Sequence, residues 1–198
     1  LGWTKTTIKG NLLNTKTESK TTEKFSFIMT NVAKDSARVN AANNVMVRAL
    51  QEVEILPHLL IGSNELVQEE RNFSAYITIN SDTTENWVLL MYMMKGNSTE
   101  GNFETILTNG ERKIFLVPAS SNKNGDDKRL LPALGYEFFE QGESLSAIQY
   151  YGGGLWGMNK NIVWLSNAQD KKMKLILAAA MTAVLQLKVT APTQDSRF

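Results

Sequence analysis

The sequence lacks cysteine altogether and has a single histidine, His58, among its 198 residues. A chain without cysteine forms no disulfide and offers no thiolate, either as a nucleophile or as a ligand for zinc or iron–sulfur clusters. A calcium loop that begins at Ser120 would place Leu131 where the bidentate glutamate belongs, so the oxygen-ligand pattern fails as well. We expect no metal site and no cofactor. The absence does not fix the compartment, because many exported proteins also lack disulfides. Cytoplasmic, exported and lipid-anchored locations are all compatible with it.

An excess of charge of one sign is also missing. Lysine and arginine number 21 and aspartate and glutamate number 20, which leaves a formal net charge of +1. A dedicated nucleic-acid-binding protein carries an excess of cations that neutralises phosphates. The balance therefore predicts no nucleic-acid partner, although it leaves a local basic patch open. The expected partner is an unidentified protein or lipid.

Long apolar runs are lacking too. The longest extends over residues 175–185 and is interrupted by Thr182, whereas a transmembrane helix needs about 20 apolar residues. We expect no transmembrane span, while peripheral contact with a membrane stays open. Residues 1–3 show no basic region followed by an apolar one, so we expect no signal peptide in this sequence.

What the sequence does contain is mainly the pattern of strands. Residues 73–79 alternate apolar and polar side chains, which predicts a strand with one wet face, and residues 87–94 are apolar on both faces, as in a strand covered on both sides. The dipeptide Asn109-Gly110 predicts a two-residue hairpin turn, and residues 141–143 predict a second hairpin. Residues 161–165 supply a further strand.

Two segments near the N-terminus are less typical of strands. Residues 14–24 contain no apolar side chain, which predicts a solvated loop or tether. Residues 36–56 carry apolar side chains at three- and four-residue steps and are followed by Pro57, which predicts a helix. Residues 45–49 also alternate as in a strand, so a strand is the alternative for this segment.

The C-terminal region predicts a buried helix. Asp170 precedes a helix that runs from Lys171 to about Lys188, and its middle is apolar all the way round, so it must be surrounded by protein. The predicted fold class is sheet-dominated α+β, with an antiparallel, strongly curved or barrel-like sheet around this helix. The organisation we predict is a polar segment that is partly strand or tether, one sheet-rich domain and a frayed tail, over residues 1–24, 25–190 and 191–198.

A short run near the C-terminus is similar to a known family. Residues 145–150 read Leu-Ser-Ala-Ile-Gln-Tyr and precede a loop with Gly154, Gly157 and Lys160. They resemble the leucine-alanine-alanine-valine strand and glycine loop of tubby C-terminal domains. The resemblance implies a closed antiparallel barrel threaded by an apolar C-terminal helix. Because some tubby proteins bind phosphoinositide headgroups and scramblase-like relatives act at membranes, it also implies a lipid ligand, with no binding residue carried over.

Two motifs match enzyme patterns only as strings. Residues 142–146 approach the nucleophile elbow of serine hydrolases, but the final glycine is missing and a strand follows instead of a helix. Residues 152–157 match the dinucleotide pattern G-x-G-x-x-G, yet the next element also reads as a strand, so no helix N-terminus would hold the pyrophosphate. A hydrolase that uses Ser144 or His58 is therefore the least favoured function, and we assign no catalytic residue.

Two groups of side chains are candidates for ligand or partner contacts. The aromatic candidates flank a run of glycines, where exposed rings would form a binding loop unless they fold back into the core: Tyr150, Tyr151 and Trp156. The basic candidates begin the C-terminal helix at the end where its dipole disfavours cations, unless their stems simply lie along the core: Lys171, Lys172 and Lys174. The predicted function is a non-catalytic binding or scaffold domain of unknown ligand. The alternative is a lipid- or phosphoinositide-interacting tubby-like domain.

Overall fold

The computed structural model describes residues 2–10, 14–52, 54–56, 59–60, 65–96, 99–121, 133–152 and 161–190. These residues form twelve strands and one helix. The elements are β1 (Gly2–Gly10), β2 (Asn14–Thr30), β3 (Ser36–Glu52), β4 (Glu54–Leu56), β5 (Leu59–Leu60), β6 (Glu65–Ile79), β7 (Asp82–Gly96), β8 (Thr99–Thr108), β9 (Lys113–Ser120), β10 (Leu134–Glu140), β11 (Glu143–Tyr151), β12 (Ile162–Leu165) and α1 (Lys171–Thr190).

Ten of the strands form one sheet, and the chain crosses it almost in sequence order. The strand order is β1-β2-β3-β6-β7-β8-β9-β10-β11-β12, while β4 and β5 pair separately. The pair β1–β2 and the pairs from β8 to β12 are antiparallel. Among the described residues, β1 and β12 stand at opposite edges, so the sheet is open. The prediction of a sheet-dominated antiparallel fold with one C-terminal helix is confirmed.

The helix is buried, as its sequence predicts. Asp170 Oδ1 accepts the Met173 N–H at 2.8 Å and so satisfies a backbone donor at the start of α1. The largest fully enclosed side chains of α1 are Ile176, Leu177 and Met181. Complete burial of each contributes about 1.5–3 kcal/mol. In the part of the chain that the structure describes, no helix is both long and apolar enough to span a membrane.

The contacts between residues divide the chain into two compact units. Unit 1 comprises Leu1–Phe25, Asn40–Ser74 and Leu90–Glu104, and unit 2 comprises Ser26–Val39, Ala75–Leu89 and Thr105–Phe198. Within unit 2, α1 contacts β11 and β12. The strands of unit 2 contribute further buried side chains to its core, among them Ile77, Trp87, Phe138 and Ile148.

The polar N-terminal segment is a strand. β2 includes residues 14–24 without a break, so the prediction of a loop or tether is wrong for these residues. Every residue from Thr15 to Glu23 has a partner on β1. Threonines, which favour strands, occur throughout both elements, and the hydroxyls of Thr4 and Thr21 lie 3.1 Å apart across the pair. Residues 14–24 thus form a strand through backbone pairing and the strand propensity of threonine, without any apolar side chain.

The helix predicted over residues 36–56 is wrong, because β3 occupies most of this segment. The buried side chains of β3 recur every second residue, the period of a strand: Ala37, Val39, Ala41 and Asn43. This period is hard to recognise in the sequence because the inward position 43 is a polar residue. Asn43 Nδ2 lies 3.5 Å from Glu23 Oε2. The alternation over residues 45–49 was the correct indication.

The next two strands confirm the prediction of strands but not all of its detail. On β6 the alternate residues from Phe73 to Ile79 are buried, as predicted. On β7 the residues from Trp87 to Met91 are buried only at alternate positions, and Leu90 is 45% exposed. The prediction that this strand is covered on both faces is therefore wrong.

Both predicted hairpins exist, but the tight turn belongs to the second. Thr108 pairs with Lys113, so β8 and β9 are joined by a four-residue loop and the two-residue turn predicted at Asn109-Gly110 is wrong. Glu140 pairs with Glu143 between β10 and β11, which leaves only Gln141-Gly142 in the turn. Their φ angles of 51° and 88° are both positive, as a type I′ turn requires.

Candidate functional site

Of the three lysines predicted as contacts, Lys172 is already paired with carboxylates of β7. Its Nζ donates a hydrogen bond to Asp82 Oδ2 at 2.7 Å and another to Glu85 Oε2. These hydrogen bonds raise the pKa of Lys172. They also lower the pKa of Asp82, with further help from the hydroxyl and N–H of Thr84. Lys172 therefore lies in an ion-pair cluster at the start of α1.

The Glu85 carboxylate completes this cluster. Its Oε1 accepts hydrogen bonds from Trp87 Nε1 at 2.8 Å and from Asn109 Nδ2 at 3.1 Å. The hydrogen bond from Lys172 lowers the pKa of Glu85 most strongly, burial opposes that shift, and the two neutral donors reinforce it. Since each carboxylate oxygen has a donor from the chain itself, the cluster is a structural contact between α1, β7 and the β8–β9 loop.

Lys171 and Lys174 lie instead in a groove beside the β2–β3 turn. The groove has a volume of about 260 Å³. Its apolar lining comes from the end of β2, the turn and the first turns of α1, and consists of Met29, Val32, Ala33, Leu175 and Ala178. Lys171 is exposed and Lys174 is half-buried. The groove therefore combines an apolar wall with two ammonium groups.

The β2–β3 turn that forms one side of this groove is closed by its own polar groups. Asn31 Nδ2 donates to Asp35 Oδ2 at 3.1 Å, and Asn31 Oδ1 accepts the Asp35 N–H at 2.9 Å. Lys34 has a positive φ of 68°, and Val32 is fully exposed, at 106% of its reference area. This turn was not predicted, because the residues directly after it, 36–56, were assigned to a helix. Asn31 and Asp35 are nevertheless residue types that are typical of turns.

Two of the three aromatic candidates, Tyr150 and Tyr151, do not join the lysines at the groove. Tyr150 packs against Tyr136 with ring centroids 5.6 Å apart, and burial raises the pKa of Tyr136. Tyr151 pairs with Leu134 in the β10–β11 pair. Neither Tyr150 nor Tyr151 is among the described residues that line the groove, and Trp156 lies outside the described residues.

Of the two residues proposed for hydrolysis, the structure describes only one. Ser144 is exposed on β11, next to the tight turn, and His58 lies outside the described residues. Within the described ranges, no group of three or more acidic or histidine side chains is arranged to hold a metal ion. The described geometry does contain a groove lined by apolar side chains and ammonium groups.

Comparison with known proteins gives partial similarity. Probable polyketide synthase 7 and probable polyketide synthase 6 of Dictyostelium discoideum are each 30% identical to this chain over 122 residues. The match covers 50% of this chain but only 5% and 4% of those proteins, so the chain is similar to a small part of each. No protein family matches the chain, and no solved structure matches it.

Proposed function

We propose that this chain is a non-catalytic binding domain whose ligand is an anionic lipid. The observation that carries the proposal is the groove of unit 2, where Lys171 and Lys174 line the same cavity as five apolar side chains. An acidic amphiphile has an apolar part that matches the apolar wall of the groove and an anionic headgroup that matches its two lysines. Its apolar part gains by leaving water, and its anionic headgroup is attracted by ammonium groups near a membrane surface.

The position of Val32 supports contact with a lipid surface. An aliphatic side chain that is fully exposed on a turn gains nothing from its own fold. Beside two lysines of the groove, it is placed to enter the boundary between headgroups and acyl chains, as apolar side chains of peripheral membrane proteins do. A single valine contributes little on its own, so the proposal depends mainly on the two ammonium groups.

The resemblance to tubby domains supports the same class of ligand, and we include a distant relationship to that family in the proposal. Residues 145–150 lie on β11 as an ordered strand, and from Met173 to Leu185 the helix α1 is buried on all sides except a half-exposed stripe. That stripe consists of Lys174, Ala178, Thr182 and Leu185. A sheet that curves around α1 would account for this burial, although β1 and β12 pair on one side only among the described residues.

Co-sedimentation with vesicles tests the proposal. We expect the protein to bind vesicles that contain phosphatidylserine or phosphoinositides and to stay in solution with pure phosphatidylcholine. Lysines near an anionic surface contribute about 1 kcal/mol each, so Lys171→Gln with Lys174→Gln should weaken binding about 25-fold. Val32→Asp should weaken it as well.

A matched control removes the same charge elsewhere in unit 2. Arg38 and Lys113 are exposed residues of β3 and β9 outside the groove, and Arg38→Gln with Lys113→Gln should leave vesicle binding within about twofold of the unmodified protein. Equal binding to anionic and neutral vesicles, or equal weakening by the two double variants, would contradict an anionic lipid as the ligand of this groove.

A further inference from the structure

Unit 1 carries a second polar surface, on one face of the β1–β2 pair. In an antiparallel pair, residues opposite each other point to the same side, and so do alternate residues along each strand. The register therefore defines one face, which we call the basic face, from four opposed pairs: Trp3–Thr22, Lys5–Lys20, Thr7–Glu18 and Lys9–Lys16. Its lysines are all exposed.

Two of these pairs place like charges directly opposite each other. Lys5 faces Lys20, and Lys9 faces Lys16, an arrangement that destabilises an isolated strand pair. The single carboxylate of this face, Glu18, is bonded to Lys20 at 3.1 Å and to Arg48 Nε of β3 at 3.2 Å, so it offsets part of the charge but does not balance four lysines. The basic face thus gathers four lysines around one carboxylate, with Arg48 of β3 beside it.

Protection of the sheet edge does not account for this charge. Lysines on an edge strand discourage pairing with another chain, and β1 is the edge strand that carries Lys5 and Lys9. Lys16 and Lys20, however, lie on β2, which is paired on both sides. Their charges oppose those of β1 without protecting any edge, so an external anion is the better explanation.

The spacing of the cations fits an extended anion. The two lysine pairs are four residues apart along each strand, or about 13 Å at 3.3 Å per residue. Around one of them, Lys9 and Lys16 line a cavity of about 330 Å³. The same cavity is lined by the hydroxyl-bearing Thr7 and Thr17 and by Arg48, which is paired with the Glu18 carboxylate. Two anionic groups held this far apart belong to a chain of charges more readily than to a compact ion.

Trp3 adds an aromatic surface to the same face. It lies two residues before Lys5 on β1, on the same side, and 56% of it is exposed. Exposed aromatic rings that continue a row of cations are typical of proteins that bind single-stranded nucleic acids, because bases stack on the ring while the cations contact phosphates. Inorganic polyphosphate would leave Trp3 without a partner.

We propose that the basic face binds single-stranded nucleic acid, with phosphates at the two lysine pairs and a base stacked on Trp3. The net charge of +1 predicted no such partner because it averages this face with acidic residues elsewhere in the chain. The structure, by pairing two lysine-containing strands in register, concentrates the cations that the average conceals.

Fluorescence anisotropy of a labelled oligothymidylate of about 12 nucleotides, titrated at several salt concentrations, tests this proposal. Each phosphate contact to a single strand contributes about −0.7 to the slope of log K against log salt, so four lysines predict a slope of about −3. Lys9→Gln with Lys16→Gln should halve the slope, and Arg38→Gln with Lys113→Gln should leave it unchanged. Thermal unfolding of each variant verifies that it is folded.

Trp3→Ala separates stacking from charge. Removing an aromatic ring on which one base stacks should lower the affinity by about fivefold to 150-fold. The slope of log K against log salt should stay the same, because no charge is removed. No binding at about 50 mM salt would overturn the proposal. Equal affinity for heparin, a sulfated chain without bases, together with no effect of Trp3→Ala would also overturn it. Preferential binding of this face to phosphatidylserine vesicles over the oligonucleotide would have the same consequence.

Discussion

At the scale of single residues, Lys172 shows how position decides whether a lysine is available for binding. Lys171 and Lys174 line the groove, and Lys174 Nζ donates to the Asn167 carbonyl, a neutral acceptor, at 3.3 Å. Lys172, between them in the sequence, is paired with the carboxylates of Asp82 and Glu85. Successive helix residues are 100° apart around the axis, so neighbours in sequence point in different directions. The three lysines that the sequence treats as one group therefore have two different roles.

The pH dependence of stability should report this ion-pair cluster. Because Lys172 lowers the pKa of Asp82 and of Glu85, the contribution of these carboxylates to stability is complete above their ordinary pKa values, near 4 to 4.5, and is lost as pH falls through the lowered ones. Lys172→Met should lower the urea midpoint at pH 7, and this difference from the unmodified protein should begin to shrink below about pH 5 and continue to shrink below pH 3, because the pKa of Asp82 is strongly lowered.

The adjacent Lys171 provides the control for that experiment, since it is exposed and lines the groove. Lys171→Met should leave the urea midpoint close to that of the unmodified protein at every pH. If the deficit of Lys172→Met stayed constant from pH 7 to pH 3, the carboxylates would not be the partners that stabilise this lysine.

At the scale of elements, the two hairpins show which glycine is required by the backbone. Gly110 and Gly142 both have positive φ, at 96° and 88°, and neither has an atom within 4 Å of an added Cβ. They differ in context, because Gly110 belongs to a four-residue loop in which Asn109 Oδ1 accepts the Arg112 N–H at 2.8 Å. The loop has its own side-chain support, whereas the turn at Gly142 has only two residues.

Substitution at Gly142 should measure the strain of the tight turn. No neighbour clashes with a side chain at this position, so the cost comes from φ alone. Gly142→Val should lower the free energy of unfolding by about 1–3 kcal/mol, and Gly142→Asn by less, because asparagine adopts positive φ more readily than valine. Equal urea midpoints for the two variants would show that the turn does not require positive φ.

At the scale of the whole molecule, stability and binding rest on different parts of the chain. The interior of the buried helix belongs to unit 2. The groups proposed for binding are instead exposed or half-buried, namely Lys171, Lys174 and Val32 at the groove in unit 2 and the lysines and Trp3 of the basic face in unit 1. Variants of either surface should therefore change binding without unfolding the protein. Variants of the helix interior should do the opposite.

Leu177→Ala tests whether α1 is the core of unit 2. Leu177 is fully buried, so the loss of its side chain should lower the free energy of unfolding by about 2–5 kcal/mol in urea titration. Lys171→Ala, at an exposed position of the same helix, should change it by no more than about 0.5 kcal/mol. A loss for Leu177→Ala as small as that of the control would place the helix outside the core.

The sequence by itself determined those elements whose inward positions are all apolar. The alternation that ends at Ile79 and the apolar length of α1 are local patterns, and both predicted the element that forms. The same reasoning failed for β3, where Asn43 interrupts the buried row, and for β2, where residues 14–24 have no apolar side chain to form a pattern. There the strand is specified by its partners, which a local pattern does not contain.

The candidate site was decided mainly by the tertiary structure. The sequence selected the lysines at the start of α1, but Lys172 and Asp82 are 90 residues apart in the chain, and only the fold brings them to 2.7 Å. The groove likewise joins Val32 to Leu175, and the basic face exists only because β1 and β2 pair in one particular register. Charge and apolar surface act through space over a few ångströms, so their grouping is a property of the fold rather than of the order of residues.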